Sequence, residues 1–183
     1  MMYRRILWNR FEQLAQELLL NTEGTETWGP HDAARGKELI RFEEEVLGCK
    51  SVRYDAFFCN FEPVAEWCHR DFGENFNFKW SVNIPLKNTQ GTSTTFYSTR
   101  GAPISDETTK EYSNRTAINH HRWHIPTRCT LLEEHFTQGI FAIDTSIPHA
   151  INNPNNHLIR KVYCLRMPAE WHPDQMSSRY DWT

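Results

Sequence analysis

The hydrophobic period of this chain changes once, near residue 51, from helical spacing to the two-residue alternation of strands. Before the change, Leu7, Phe11, Leu14 and Leu18 recur at helical spacing, with Glu12, Gln13 and Glu17 on the other side. This predicts a helix over residues 3–20, with Asn21 and Gly24 supplying its stop. A second helix is expected over 34–47, with Leu39, Phe42 and Val46 inward, Glu43, Glu44 and Glu45 mostly outward, and Gly48 at its end. The glutamate run reads as a solvated helix face rather than a carboxylate metal site. The basic stretch from Tyr3 to Arg10 reads the same way.

After the change, eight short strands are expected, at 51–61, 66–71, 77–85, 92–99, 128–136, 140–144, 148–152 and 158–167. They are rich in aromatic and β-branched residues and separated by Asn, Gly, Pro or Asp clusters. A helical preface (1–48) followed by eight strands (51–167) suggests a mainly β fold, a double-sheet barrel or jelly roll with the helices packed on one outer face. The longest gap, 100–127, is polar and carries Pro, Gly, Asp and Ser, as expected of a lid, a binding loop or an insertion. Residues 168–183 form a C-terminal tail. At 183 residues, 39% of them hydrophobic, the chain suits a single domain.

Composition narrows the function. A net charge of −3 without a dense basic stripe removes nucleic acid as the default partner. No stretch approaches the roughly 20 apolar residues of a membrane-spanning helix. Five cysteines, an odd number without a secretion signal, suggest reduced thiols and a cytoplasmic location.

The chemistry concentrates in Cys68-His69-Arg70-Asp71 and Ile147-Pro148-His149. In an extended chain residues i and i+2 project to one side, so His69 and Asp71 can address one point. With His149 from another strand they make a two-histidine, one-carboxylate set, the facial arrangement of non-haem Fe(II) oxygenases. Eleven residues after His149, Arg160 opens the last strand and shares a face with Val162, Cys164 and Arg166. A guanidinium fork inside a barrel calls for an anion such as a co-substrate carboxylate, and Arg166 competes with Arg160 for that role. Asn60, Asn83 and Tyr97 are further candidates for hydrogen bonds to a bound acid. Cys68 reads as buried packing. A His-x-Asp alone is weak, since His172-Pro173-Asp174 repeats it in what reads as a C-terminal turn. His120 and His124 have the spacing of a helical zinc pair, yet no nearby Glu or Cys completes a site; with His121 and Trp123 they are expected to line or cover the pocket. Trp67 and Trp80 could floor it.

Helices, then eight strands with His-x-Asp after the second, His opening the seventh and Arg opening the eighth, resemble the Fe(II)/2-oxoglutarate-dependent oxygenases. The resemblance covers about residues 51–167. Trp80-Ser81-Val82-Asn83-Ile84-Pro85-Leu86 followed by Thr94-Thr95-Phe96-Tyr97 is similar to strands three and four of short prolyl-hydroxylase-like members, and Phe141-Ala142-Ile143-Asp144 through His149-Ala150-Ile151-Asn152 resembles the family's approach to its distal histidine. The resemblance implies a double-stranded β-helix, Fe(II) on His69, Asp71 and His149, and 2-oxoglutarate anchored by Arg160. Prolyl hydroxylases proper usually carry Lys at the anchor, so Arg leans toward the broader group. Halogenating members replace the Asp, which this chain keeps, so hydroxylation is implied. The implied reaction consumes O2 and 2-oxoglutarate, oxidises an unidentified small molecule or peptide, and releases succinate and CO2.

Two other readings share these residues. A cupin-like metal enzyme would bind the ion but ignore 2-oxoglutarate, and a non-catalytic jelly-roll module would bind neither. Because imidazoles ligate only when neutral, a histidine-held metal is expected to bind more weakly below about pH 6.5. Oligomeric state is not legible in the residues.

Overall fold

The structure, a computed structural model, describes residues 1–23, 29–30, 35–59, 67–72, 79–99, 101, 106–110, 118–154, 158–176 and 180–182. It is mainly β. The elements run β1 (Tyr3–Ile6), α1 (Phe11–Asn21), β2 (Gly29–Pro30), α2 (Lys37–Phe42) continuing into a π-helical turn (Glu43–Leu47), β3 (Arg53–Cys59), β4 (Trp67–Phe72), β5 (Trp80–Lys87) and β6 (Ser93–Ser98). There follow β7 (Asp106–Lys110), β8 (Ile118–His124), the short α3 (Ile125–Arg128), β9 (Thr130–Phe136), β10 (Ile140–Asp144), β11 (His149–Asn152), β12 (Arg160–Arg166), a 3-10 turn (Pro173–Gln175) and β13 (Asp181–Trp182).

The strands form two antiparallel sheets. One has the order β13-β1-β10-β5-β12-β3-β2 and the other β7-β8-β4-β11-β6-β9. All eight expected strands are present. The first, third, sixth and eighth (β3, β5, β10, β12) sit together in the seven-stranded sheet, and the second, fourth, fifth and seventh (β4, β6, β9, β11) in the six-stranded one.

Strand alternation divides the seven-stranded sheet into two faces. Trp80, Val82 and Ile84 of β5, Ile140 and Ala142 of β10, and Tyr163 and Leu165 of β12 pack with Leu14, Leu18, Leu39, Phe42 and Val46 of the helical layer. Burying each such side chain contributes on the order of 2 kcal/mol. The intervening residues face the other sheet, where Phe141 and Ile143 meet Phe96 of β6. Because both faces are covered, β10 is buried along its whole length.

The helical layer is secured locally. Both carboxylate oxygens of Glu17 on α1 accept backbone N–H groups at the start of α2, from Glu38 and Leu39, each at 3.0 Å. Gly36 just before α2 leaves room for this contact, since a Cβ there would stand 2.1 Å from Cδ of Glu17. The π-helical turn ends at Gly48, whose φ of 71° lies in the left-handed region, as the expected stop requires. Among the described residues no helix is long and apolar enough to cross a membrane.

Three expectations are corrected. The helix expected over 3–20 begins only at Phe11. Tyr3–Ile6 is a strand paired from Tyr3↔Ile143 to Ile6↔Ile140, with Arg5 and Ile6 also paired to β13. Sheet hydrogen bonds on both sides outweigh helical propensity over so short a piece, so Arg4 and Arg5 lie on a strand and Leu7 is left 40% exposed. The gap at 100–127 contains β7 and β8, and β8 pairs with β4 along its length, from Trp67↔His124 to Phe72↔Asn119. Its polar residues carry no alternation, so pairing with a distant strand decides its form; residues 100, 102–105 and 111–117 lie outside the described set. Finally, Glu44 and Glu45 are exposed, but Glu43 is buried. It pairs with Arg35 and accepts from the Ser51 N–H (2.7 Å) and the Tyr54 hydroxyl (2.9 Å), which satisfies its charge inside. Gly24 and Ala34 lie outside the described residues.

Candidate metal centre

Neighbouring strands β4 and β11 bring the site together. Their register sets His149 directly opposite His69, and alternation along β4 returns Asp71 to the same face. The two imidazole rings lie 4.6 Å apart between centroids, and Nε2 of His69 is 3.7 Å from Oδ1 of Asp71. One ligand atom from each of His69, Asp71 and His149 falls within 4.8 Å of the others. His149 and Asp71 are buried, while the His69 side chain is 31% exposed and forms the solvent side of the cluster.

Neighbouring groups set the donor atoms. Nδ1 of His149 lies 2.9 Å from the carbonyl of Ile147, which can only accept. The ring therefore carries its hydrogen on Nδ1, which leaves the lone pair on Nε2. The turn before His149 is fixed by Asp144, whose Oδ1 accepts from the Ser146 N–H at 3.0 Å and whose Oδ2 pairs with Lys79 at 3.2 Å. The Asp71 N–H donates to the carbonyl of Thr145 in the same turn at 3.0 Å, tying together the two strands that bring up the cluster.

Asp71 ends a buried chain of alternating charge. Arg166 gives Nη1 to Oδ2 of Asp71 (2.9 Å) and Nε to Oδ2 of Asp55 (3.1 Å), and Asp55 also takes Nε of Arg53 (2.7 Å). Burial works against the Arg166 charge, but Asp71 and Asp55 outweigh it and hold the guanidinium well above its ordinary value. A permanent cation thus backs Asp71 and fixes its orientation. Burial pushes the Cys164 thiol, on the same inner face, up to about 12, so it is no thiolate donor at neutral pH. The donor set is two nitrogens and a carboxylate, which could hold a first-row divalent ion.

Arg160 lies on that face too, 2% exposed, with Nε donating to the Thr92 hydroxyl at 3.3 Å. Asn83 is also inward and accepts from Ser81 Oγ at 2.9 Å. Other expected pocket residues face elsewhere. Tyr97 and Trp123 pack with Cys68 and Ala150 on the outer face of the six-stranded sheet, because Phe96 is the inward residue of that pair in β6. Trp80 belongs to the helical core, edge-on to Trp171. His172 caps the 3-10 turn, with Nδ1 accepting the Asp174 N–H at 3.3 Å, in agreement with the turn reading of that motif. Asn60 lies outside the described residues, as do the side chains of Trp67, His120, His121 and His124.

Asp55 escaped sequence reasoning. Its signal is a lone carboxylate in an otherwise apolar strand, Tyr54-Asp55-Ala56-Phe57-Phe58, where an inward charge demands a partner. No protein-family model, curated protein or solved structure matches this chain.

Proposed function

We propose that this chain is an Fe(II)- and 2-oxoglutarate-dependent oxygenase, a hydroxylase built on a double-stranded β-helix. Support for the fold reading lies in the sheet orders. With the eight core strands numbered along the chain, they read 6-3-8-1 in one sheet and 2-7-4-5 in the other, as in a jelly roll closed by repeated crossing between sheets. The observation that carries the function is the convergence of His69, Asp71 and His149 on the inner face to which Arg160 also belongs.

In this reading His69, Asp71 and His149 would hold the ion, while Oδ2 of Asp71 stays with Arg166. When bound, iron with the keto-acid and O2 would supply the oxidising equivalent for hydroxylating a substrate carbon, with succinate and CO2 as co-products. The protein holds, orients and dries. The carbonyl of Ile147 keeps the proton on Nδ1 of His149. Arg160 presents a fork to the far carboxylate of 2-oxoglutarate; Arg166, bound by two carboxylates, is the weaker choice for this anchor. Phe96, Phe141 and Ile143 exclude water beside His149, whose ring is 6.2 Å from that of Phe96.

An anaerobic visible spectrum of the protein with Fe(II), before and after 2-oxoglutarate, tests the proposal. A weak charge-transfer band that needs both components, is lost in His149→Ala and requires more 2-oxoglutarate in Arg160→Ala is the expected result. Metal binding without any band would replace it with a metal enzyme that ignores 2-oxoglutarate.

A further inference from the structure

On the other side of β4 from the metal cluster, two thiols far apart in sequence are in contact. Cys68 belongs to β4 and is fully buried, while Cys129 sits 61 residues later, between α3 and β9, and is half-buried. Their sulfurs are 3.1 Å apart. Backbone structure holds both in place. Cys68 pairs with Trp123 of β8, and α3 turns the chain back so that the Cys129 N–H donates to the carbonyl of Ile125 at 3.2 Å. Tyr97, Trp123, Ala150 and Ile125 enclose the pair. The other described thiols lie elsewhere, Cys49 against the helical core and Cys164 on the inner face of β12.

We propose that Cys68 and Cys129 are a site of reversible oxidation by peroxides, closing to an intramolecular disulfide that pins the α3–β9 junction to the back of β4. The more exposed sulfur, Cys129, reacts first. A peroxide O–O bond breaks, one oxygen passes to the Cys129 sulfur as a sulfenic acid, and water leaves when hydrogen peroxide is the oxidant. The Cys68 sulfur then attacks the Cys129 sulfur, an S–S bond forms, and the sulfenic oxygen departs as a second water with the remaining proton. The two thiols lose two electrons and the peroxide gains them. Closing to the bond length of about 2 Å asks for a movement of about 1 Å between sulfurs already in contact. Burial of Cys68 beneath Cys129 favours this closure over further oxidation, because the partner sulfur is nearer to the sulfenic acid than bulk peroxide.

The proposal stands apart from the metal reading, and its test uses neither metal nor 2-oxoglutarate. The full chain is exposed to hydrogen peroxide, its remaining thiols are alkylated, and it is digested without reduction for mass spectrometry. The expected result is a mass loss of two hydrogens and a peptide linking Cys68 to Cys129. A rise in Tm on the order of 10 °C should accompany it, reverse with dithiothreitol and be absent in Cys129→Ser. The wild-type peptide map decides the matter even if that variant does not fold. Oxygen added to Cys129 without a linked peptide, a link to any other cysteine, or both thiols remaining open to alkylation would overturn it.

Discussion

The two faces of the seven-stranded sheet come from alternate residues of the same strands, yet they do opposite work. In β12, Tyr163 and Leu165 point into the helical layer, while Arg160, Cys164 and Arg166 point toward the other sheet. In β5, Trp80, Val82 and Ile84 face the helices, while Ser81 and Asn83 face inward. The outer face holds the fold by apolar burial and tolerates variation that preserves volume. The inner face concentrates buried charge, which is stable only with its partners in place. The same chain segment thus carries a generic core and a specific site, separated by one residue of register.

Breaking the inner charge chain should have the largest effect. Arg166→Met would take from buried Asp71 and Asp55 the cation they share, leaving Asp55 with Arg53, and denaturant unfolding should show a loss of about 4 kcal/mol. Adding Asp55→Asn should recover part of that loss. On the outer face, Leu165→Ala should cost about 3 kcal/mol through a cavity while leaving metal affinity unchanged, measurable by thermal unfolding and metal titration of the folded variant. His149→Ala should do the reverse, weakening metal binding by at least about 100-fold while the metal-free protein unfolds at nearly the wild-type denaturant concentration. An equal loss of stability in that variant would erase the distinction between the faces. In the helical layer, Glu17→Ala should cost about 1 kcal/mol by removing the acceptor for two N–H groups of α2, a difference readable in a denaturant titration.

The smallest effect at neutral pH is that of Cys164, whose thiol is raised by burial from 9.0 to about 12. Between those values the unfolded chain loses a proton that the folded chain keeps, so stability from this group is complete below pH 9 and declines as pH rises toward 12. Unfolding measured from pH 8 to 11 should therefore show a shallower decline in Cys164→Ala.

Strand parity made the site legible. Once β4, β11 and β12 are read as extended, His69, Asp71, His149 and Arg160 can be assigned faces from sequence, and the helical layer follows from the spacing of Leu14, Leu18, Leu39, Phe42 and Val46. What stayed hidden depends on long-range pairing. Tyr3–Ile6 is too short to declare a period, and the sequence of β8 carries no clean alternation, so only their partners in β10 and β4 make them strands. The inward turn of Glu43 needs Arg35, Ser51 and Tyr54 together. Likewise, no spacing rule brings Cys129 to Cys68 across 61 residues. Whether Phe96 or Tyr97 of β6 faces inward is a one-residue question that only the position of Phe96 against Phe141 and Ile143 decides.

In the proposed function His69, Asp71 and His149 together hold a divalent metal. Anaerobic titration of the metal-free protein with Mn(II), followed by the loss of the free-ion electron paramagnetic resonance signal, tests it without a substrate or co-substrate. One tight site per chain is expected in the wild type, abolished in His69→Ala, Asp71→Ala and His149→Ala alike. Saturable binding that survives all three substitutions, or no binding by the folded wild-type protein, would contradict it.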